Sequence, residues 1–241
     1  MKKKLLLLTI AVLCFASFAS ADSFKFYGSR GAQNPTDFVD LSQLPGAGSG
    51  ALLNSPTPVT SFLGNSALIG NTNGGQFATV QEGNTWIGNF DFGEYLAWTG
   101  NSNFIPPIGS GGPFAIVLAN PASSIGIGIQ ADQYGGFIGV VTLFNTGGTQ
   151  IFSFTFSGLS APSEAGDNVF VGIGDLTGAN IGAIEISTRS GDNNPMFLND
   201  FAIDDPSFTY APLPTPEPSS LLLLGSGLLG VTGLVRRKLS H

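Results

Sequence analysis

From Phe114 onward the chain is a succession of short apolar or alternating runs separated by turn residues. Residues 150–156 read Gln-Ile-Phe-Ser-Phe-Thr-Phe, which places Phe152, Phe154 and Phe156 on one side of an extended backbone and Ser153 and Thr155 on the other. A period of two marks a strand with one buried and one wet face. Ile125, Ile127 and Ile129 repeat the pattern, with Gly126 and Gly128 between them. Further runs lie at 114–118, 136–144, 168–173, 181–187 and 197–203, and Asn145-Thr-Gly-Gly148 joins two of them as a hairpin turn. No stretch of 23–210 carries a 3.6-residue apolar period. The pattern predicts an all-β domain over residues 22–210, built as a jelly-roll-like β-sandwich. Burying each of the three phenylalanines contributes about 1.5–3 kcal/mol, which makes them expected core markers. Residues 43–75 are rich in Gly, Ser, Asn and Pro and read as long loops or a mobile insertion.

Both ends break this pattern. Lys2, Lys3 and Lys4 precede an apolar run from Leu5 to Phe18, which ends in small residues including Ala19 and Ala21. Basic, apolar and small segments in that order predict a secretory signal peptide over residues 1–21, cleaved after Ala21. The alternative, a retained membrane helix, needs about 20 apolar residues, more than this run supplies. At the other end, residues 211–218 place a proline at every second position, an extended spacer. Residues 221–235 are mostly apolar, and Arg236, Arg237 and Lys238 follow at once. As a helix this run is about 22 Å long. It is short for a hydrocarbon core of about 30 Å unless its flanks extend it. Residues 219–241 are thus expected to form a transmembrane helix whose basic end lies in the cytoplasm, the domain lying outside. A short, glycine-interrupted helix with a basic end suits a transient hold in the inner membrane better than the alternative, a lasting anchor.

Charge and composition narrow the chemistry. Residues 22–215 hold three Lys/Arg (Lys25, Arg30, Arg189) against fifteen Asp/Glu, about −12. Such a surface repels phosphate backbones and anionic headgroups, so nucleic acid is not an expected partner. Cys14 and His241 are the chain's one cysteine and one histidine. Residues 22–215 therefore contain no Ser-His-Asp triad, no Cys-His pair, no disulfide and no His or Cys zinc site. Catalytic and cofactor residues are expected to be none. Hydrolysis by two carboxylates stays open, with Glu82, Glu94, Glu164 and Glu185 as unpaired candidates. Calcium is the livelier cofactor expectation: Asp132, Asp167-Asn168, Asp192-Asn193-Asn194, Asp200 and Asp204-Asp205 supply oxygen ligands, although none forms an EF-hand loop. Trp86, Phe90, Phe92 and Trp98 sit at even positions and would share a face within one strand, with Tyr95 beside them. Core or hairpin pairing is the expectation, and a sugar-stacking platform the alternative.

The tail carries a specific resemblance. Pro216-Glu217-Pro218, the Ser-Ser-Leu-Leu-Leu-Leu-Gly-Ser-Gly-Leu-Leu-Gly run and Arg236-Arg237-Lys238 resemble the PEP-CTERM sorting signal. That resemblance implies recognition by exosortase, a membrane-embedded processing enzyme, and removal of the tail near Pro216–Pro218. It also implies export through Sec-type machinery and signal peptidase. The expected destination is the cell surface or extracellular matrix of a Gram-negative-type bacterium that makes exopolysaccharide. Phe201-Ala-Ile-Asp-Asp-Pro-Ser-Phe208 is similar to the closing strand of PEP-CTERM ectodomains and carbohydrate-binding sandwiches, and Thr36-Asp-Phe-Val-Asp-Leu41 to their first strand. The expected role is a non-catalytic structural or interaction component, with a carbohydrate-binding module, calcium-assisted or not, as the rival. A two-carboxylate glycosidase ranks below both.

Overall fold

A computed structural model describes residues 23–101, 108–109, 111–192 and 198–210. They form an all-β structure of seventeen strands, one short helix and one 3-10 turn. The first part contains β1 (Phe24–Tyr27), α1 (Arg30–Gln33), β2 (Asp37–Phe38), the 3-10 turn Leu41–Gln43, β3 (Ala51–Asn54), β4 (Thr57–Thr60), β5 (Ser66–Asn71) and β6 (Gln76–Gln81). The middle contains β7 (Tyr95–Trp98), β8 (Gly100–Asn101), β9 (Ile108–Gly109), β10 (Phe114–Ala122), β11 (Ser124–Ala131) and β12 (Gly135–Phe144). The last part contains β13 (Gln150–Ser160), β14 (Val169–Asp175), β15 (Ile181–Ser190), β16 (Phe201–Ile203) and β17 (Ser207–Thr209).

Two sheets dominate. Sheet A has nine strands in the order β1-β14-β11-β16-β7-β6-β3, with β17 pairing β11 and β2. Sheet B has six, ordered β13-β12-β15-β10-β5-β4. Ile125, Ile127 and Ile129 from β11 meet Ile116, Val141, Ile184 and Ile186 from sheet B in one fully buried core. The predicted hairpin is present: Asn145 N–H donates to the Thr149 carbonyl at 2.9 Å, and Gly148 supplies the positive φ of 75°.

Three expectations are corrected. The phenylalanines at 152, 154 and 156 face the sheet interior but are only half-buried, because β13 lies at the edge of sheet B. Alternation reports which face turns inward, not how deep the strand sits. Residues 43–75 are not a loose insertion, since they contain β3, a strand of sheet A, and β4 and β5, strands of sheet B. Their glycines punctuate short strands, as at Gly46, Gly48 and Gly50, with φ of 68°, 75° and 77°. The run at 36–41 is not the first strand. It yields only β2, after β1 and α1, and β2 pairs with β17, so the two segments singled out as first and closing strands are neighbours.

Candidate functional site

The polar chemistry collects on the outer face of sheet A, and two glycines make room for it. The isoleucines of β11 point into the core, so Gly126 and Gly128 point outward. A Cβ at Gly128 would lie 2.0 Å from Asn168 Nδ2 and 2.4 Å from Asp204 Oδ2, and one at Gly126 would strike Gln33 and Phe170. Beside Gly128 the edge of the neighbouring strand is broken. Pairing shifts by one residue between Ile203↔Ile129 and Ser207↔Gly126, a bulge spanning Asp204-Asp205-Pro206. There the carboxylate of Asp204 takes the ladder position of a carbonyl, accepting from Gly128 N–H at 2.6 Å.

Arg30, projecting from α1, compensates the buried charge. Its guanidinium donates to Asp204 Oδ2 at 2.9 Å and to the Asp205 carbonyl at 2.7 Å. Gln33, on the same short helix, donates to Ser124 Oγ and the Ser207 carbonyl and accepts from Ser207 Oγ. Helix α1 therefore serves as a polar plug over β11 and β17. Burial pushes the Asp204 carboxyl up despite Arg30. Burial, and then the charge of Asp204, raise Glu94 to about 7. Asp205 is pushed up to about 7 by burial, although it accepts from Leu41 N–H.

Next to this cluster, the loop at 82–94 folds back over sheet A. Trp86 and Phe90 pack on Val80, Leu96, Trp98 and Ala202 in a second small core. The two indoles meet edge-on at 5.7 Å, and Trp98 Nε1 donates to Asp200 Oδ1 at 2.8 Å. The expectation of one shared face is half right. Trp86, Phe90 and Trp98 are buried together although only Trp98 lies on a strand, whereas Phe92 is 72% exposed over Gly83. A stacking platform of tryptophans is overturned, because both indoles are buried.

Asn89 ties this loop to the one at 161–168. Its amide donates to Asp167 Oδ1 at 2.7 Å and Ser163 Oγ at 3.3 Å, and its side-chain oxygen accepts from Ala161 N–H at 2.6 Å. Its own N–H donates to Gln130 Oε1, which projects from the outward face of β11. A hydrogen bond from Ser163 Oγ, and then the one from Asn89, hold Asp167 below the usual carboxylate range. Glu82 is buried and pushed up by burial, with Oε1 accepting from Gly88 N–H at 2.7 Å. Burial alone raises Asp132 to about 6.

The calcium candidates are dispersed by this arrangement. Asp204 and Asp205 share the Arg30 cluster, Asp200 serves Trp98, Asp167 serves Asn89, and Asp192 accepts from Ser190 Oγ. Among the described residues, no three His, Cys, Asp or Glu side chains group to hold a metal ion. Asn193 and Asn194 lie outside the described residues. Open space is elsewhere: depressions of about 410, 320 and 230 Å³ lie on the outer face of sheet B, around Val117, Leu68 and Ala183. Glu185, on β15, lines the largest of them, whereas Glu82, Glu94 and Glu164 lie on the sheet A side. Of the four glutamates, Glu185 alone lines one of these depressions.

Sequence reading missed Arg30, Gln33, Asn89 and Gln130, which organise the site. The Ile-Gly alternation of β11 was the available signal, since glycine facing outward invites a polar layer above it. The predicted signal cleavage residues Ala19 and Ala21 lie outside the described residues. So do the sorting residues Pro216, Glu217, Pro218, Arg236, Arg237 and Lys238.

No curated protein matches the chain. Among solved structures, it is similar to a DUF4465 family protein from Bacteroides caccae ATCC 43185, at 10% identity and a TM-score of 0.36, over 77% of this chain and 100% of that one. The family model for the PEP-CTERM protein-sorting motif matches residues 214–238. That match covers the Pro-Glu-Pro step, the apolar run and the basic end singled out above. The chain thus carries a PEP-CTERM protein-sorting motif at residues 214–238, the mark of an exported protein sorted by exosortase.

Proposed function

We propose that the domain at residues 22–210 is a non-catalytic structural or interaction component of the cell surface or extracellular matrix, working in contact with exopolysaccharide. The sorting motif at 214–238 is the observation that carries this reading. The region in front of it supports a passive role. Its buried carboxylates are engaged by Arg30, Gly128 and Leu41 inside the fold. Residues 1–21 act as a cleaved signal, residues 211–218 as a stiff spacer, and residues 219–241 as a membrane helix with a cytoplasmic basic end. Exosortase cuts near Pro216–Pro218 and releases the domain. The two-sheet architecture is jelly-roll-like in this reading, supported by antiparallel pairing throughout and by the return of β16 and β17 to the middle of sheet A.

Mass spectrometry of the mature protein tests the sorting step. Cells with exosortase should yield a C-terminus near residue 218 and an N-terminus at Asp22, and cells without it should retain His241. An intact His241 in both backgrounds overturns processing. The rival reading, a carbohydrate-binding module with or without calcium, is favoured by the uncovered outer face of sheet B and its three depressions. A glycan array with and without EDTA separates the two. Saturable binding to a defined polysaccharide supports the module, and EDTA-sensitive binding adds the ion.

A further inference from the structure

The edges of the two large sheets are unequally protected. Edge strands expose unpaired N–H and C=O groups, and proteins blunt them with short length, charge or proline. In sheet A, β1 has four residues and carries Lys25, β3 has only four residues, and β2, at the end of the branch through β17, has two and carries Asp37. In sheet B, β4 has four residues and contains Pro58. The remaining edge is β13, eleven residues long, with no charged residue and no proline. Among the described residues it pairs with β12 alone. It is also free of charge on a domain that holds fifteen acidic residues against three basic ones, so approach there meets the least repulsion.

The strand also reads nearly the same in both directions about Thr155. Phe154 mirrors Phe156, Ser153 mirrors Ser157, and Ile151 mirrors Leu159. Phe152 mirrors Gly158, a large side chain opposite a gap. In an antiparallel pair formed about a two-fold axis at Thr155, each residue would meet its mirror. Phenylalanine would then lie against phenylalanine on the inner face, and serine against serine on the outer.

The inner face adds an independent sign of an unfilled neighbour. Phe26 is 54% exposed although its ring meets Phe154 edge-on at 4.8 Å, and Phe152, Phe154 and Phe156 are only half-buried. These rings form a row along the open side of the sandwich. A strand added beside β13 would bring a second such row against it, covering apolar surface that water now reaches.

We propose that β13 is a homotypic docking edge, at which a second copy of this chain pairs antiparallel about Thr155 and joins the two copies of sheet B into one continuous sheet. Full-length protein purified in detergent tests this by sedimentation and by oxidative cross-linking. All variants carry Cys14→Ser, so that an introduced thiol is the only one. Thr155→Cys places two thiols across the axis and should give a cross-linked dimer under mild oxidant. Ser187→Cys, on β15 within the same sheet, should not. Thr155→Lys puts like charges at the axis and should turn a dimer into a monomer with its circular dichroism unchanged. Three results overturn the proposal. One is a wild-type monomer up to about 100 μM, where micromolar affinity would already show. Another is a dimer that survives Thr155→Lys. The third is equal cross-linking at residues 155 and 187.

Discussion

Arg30 and Asp204 stand 174 residues apart in sequence, yet their side chains meet at 2.9 Å. One belongs to a single-turn helix and the other to a bulge, so the contact ties the start of the domain to its end. The Asp204 side chain is 8% exposed and that of Arg30 34%, so most of the desolvation falls on the carboxylate. Removing the cation leaves a buried charge without its counter-ion.

Arg30→Ala should therefore lower stability by about 3 kcal/mol in urea unfolding. Adding Asp204→Asn should recover part of the loss, because the amide needs no counter-ion. A double variant no more stable than Arg30→Ala alone would argue that Arg30 acts only through packing.

Stability should depend on pH in one direction over the mildly acidic range. Burial raises Glu94 and Asp205 to about 7 and Asp132 to about 6, above their unfolded values. A raised carboxyl binds its proton more tightly when folded, so stability falls as pH rises from about 4 through 7. Asp37 and Asp167 act oppositely. At Asp37 burial acts upward but is outweighed by hydrogen bonds from Ser61, Asn65, Leu63 and Phe38 together, and those from Ser163 and Asn89 act on Asp167, so their contribution is lost as pH falls through the acid range below 4. The melting temperature should be higher at pH 5 than at pH 8 by about 3–6 °C. Glu94→Gln should flatten that slope. A melting temperature that climbs from pH 5 to pH 8 would contradict the assignment.

Two glycines predict opposite outcomes. Gly128→Ala drives a methyl into Asn168 and Asp204 and should cost about 1–3 kcal/mol. Gly136→Ala, on β12, meets nothing within 4 Å and should stay within about 0.5 kcal/mol of wild type. Thermal melts of the pair distinguish crowding from a general cost of alanine in strands.

Asn89→Ala should unfasten the loop at 161–168. The variant frees Asp167 of its Asn89 bond and leaves Ala161 N–H without its acceptor, the latter at a cost of about 2 kcal/mol. Limited proteolysis should show earlier cleavage between residues 161 and 168 while the core strands resist. Unchanged protection would mean that Ser163 and Gln130 hold the loop by themselves.

Much of the fold was legible in the chain. The short apolar or alternating runs at 114–118, 124–130, 136–144 and 150–156 recovered β10 to β13, because each has one face turned to a core. Strands in the first half were hidden. β3 and β4 have four residues each, too few for alternation to stand out among glycines and prolines. The site was less legible still. Asp204 looked like a turn residue or an ion ligand, and only the tertiary fold brings Arg30 to it. Trp86 and Phe90 are buried from a loop, where strand parity carries no meaning.

The placement of the closing strands has a consequence for how such a chain folds. β16 and β17 are the last strands made, yet they fill the edge of β11 in the interior of sheet A, and β17 also reaches β2. Until residues 201–209 arrive, β11 and β7 have a gap between them, and the native contacts still missing span most of the sequence. Long-range pairing of that kind forms slowly and late. The sandwich therefore stays open between β11 and β7 until residues 201–209 arrive, and it locks into shape only then.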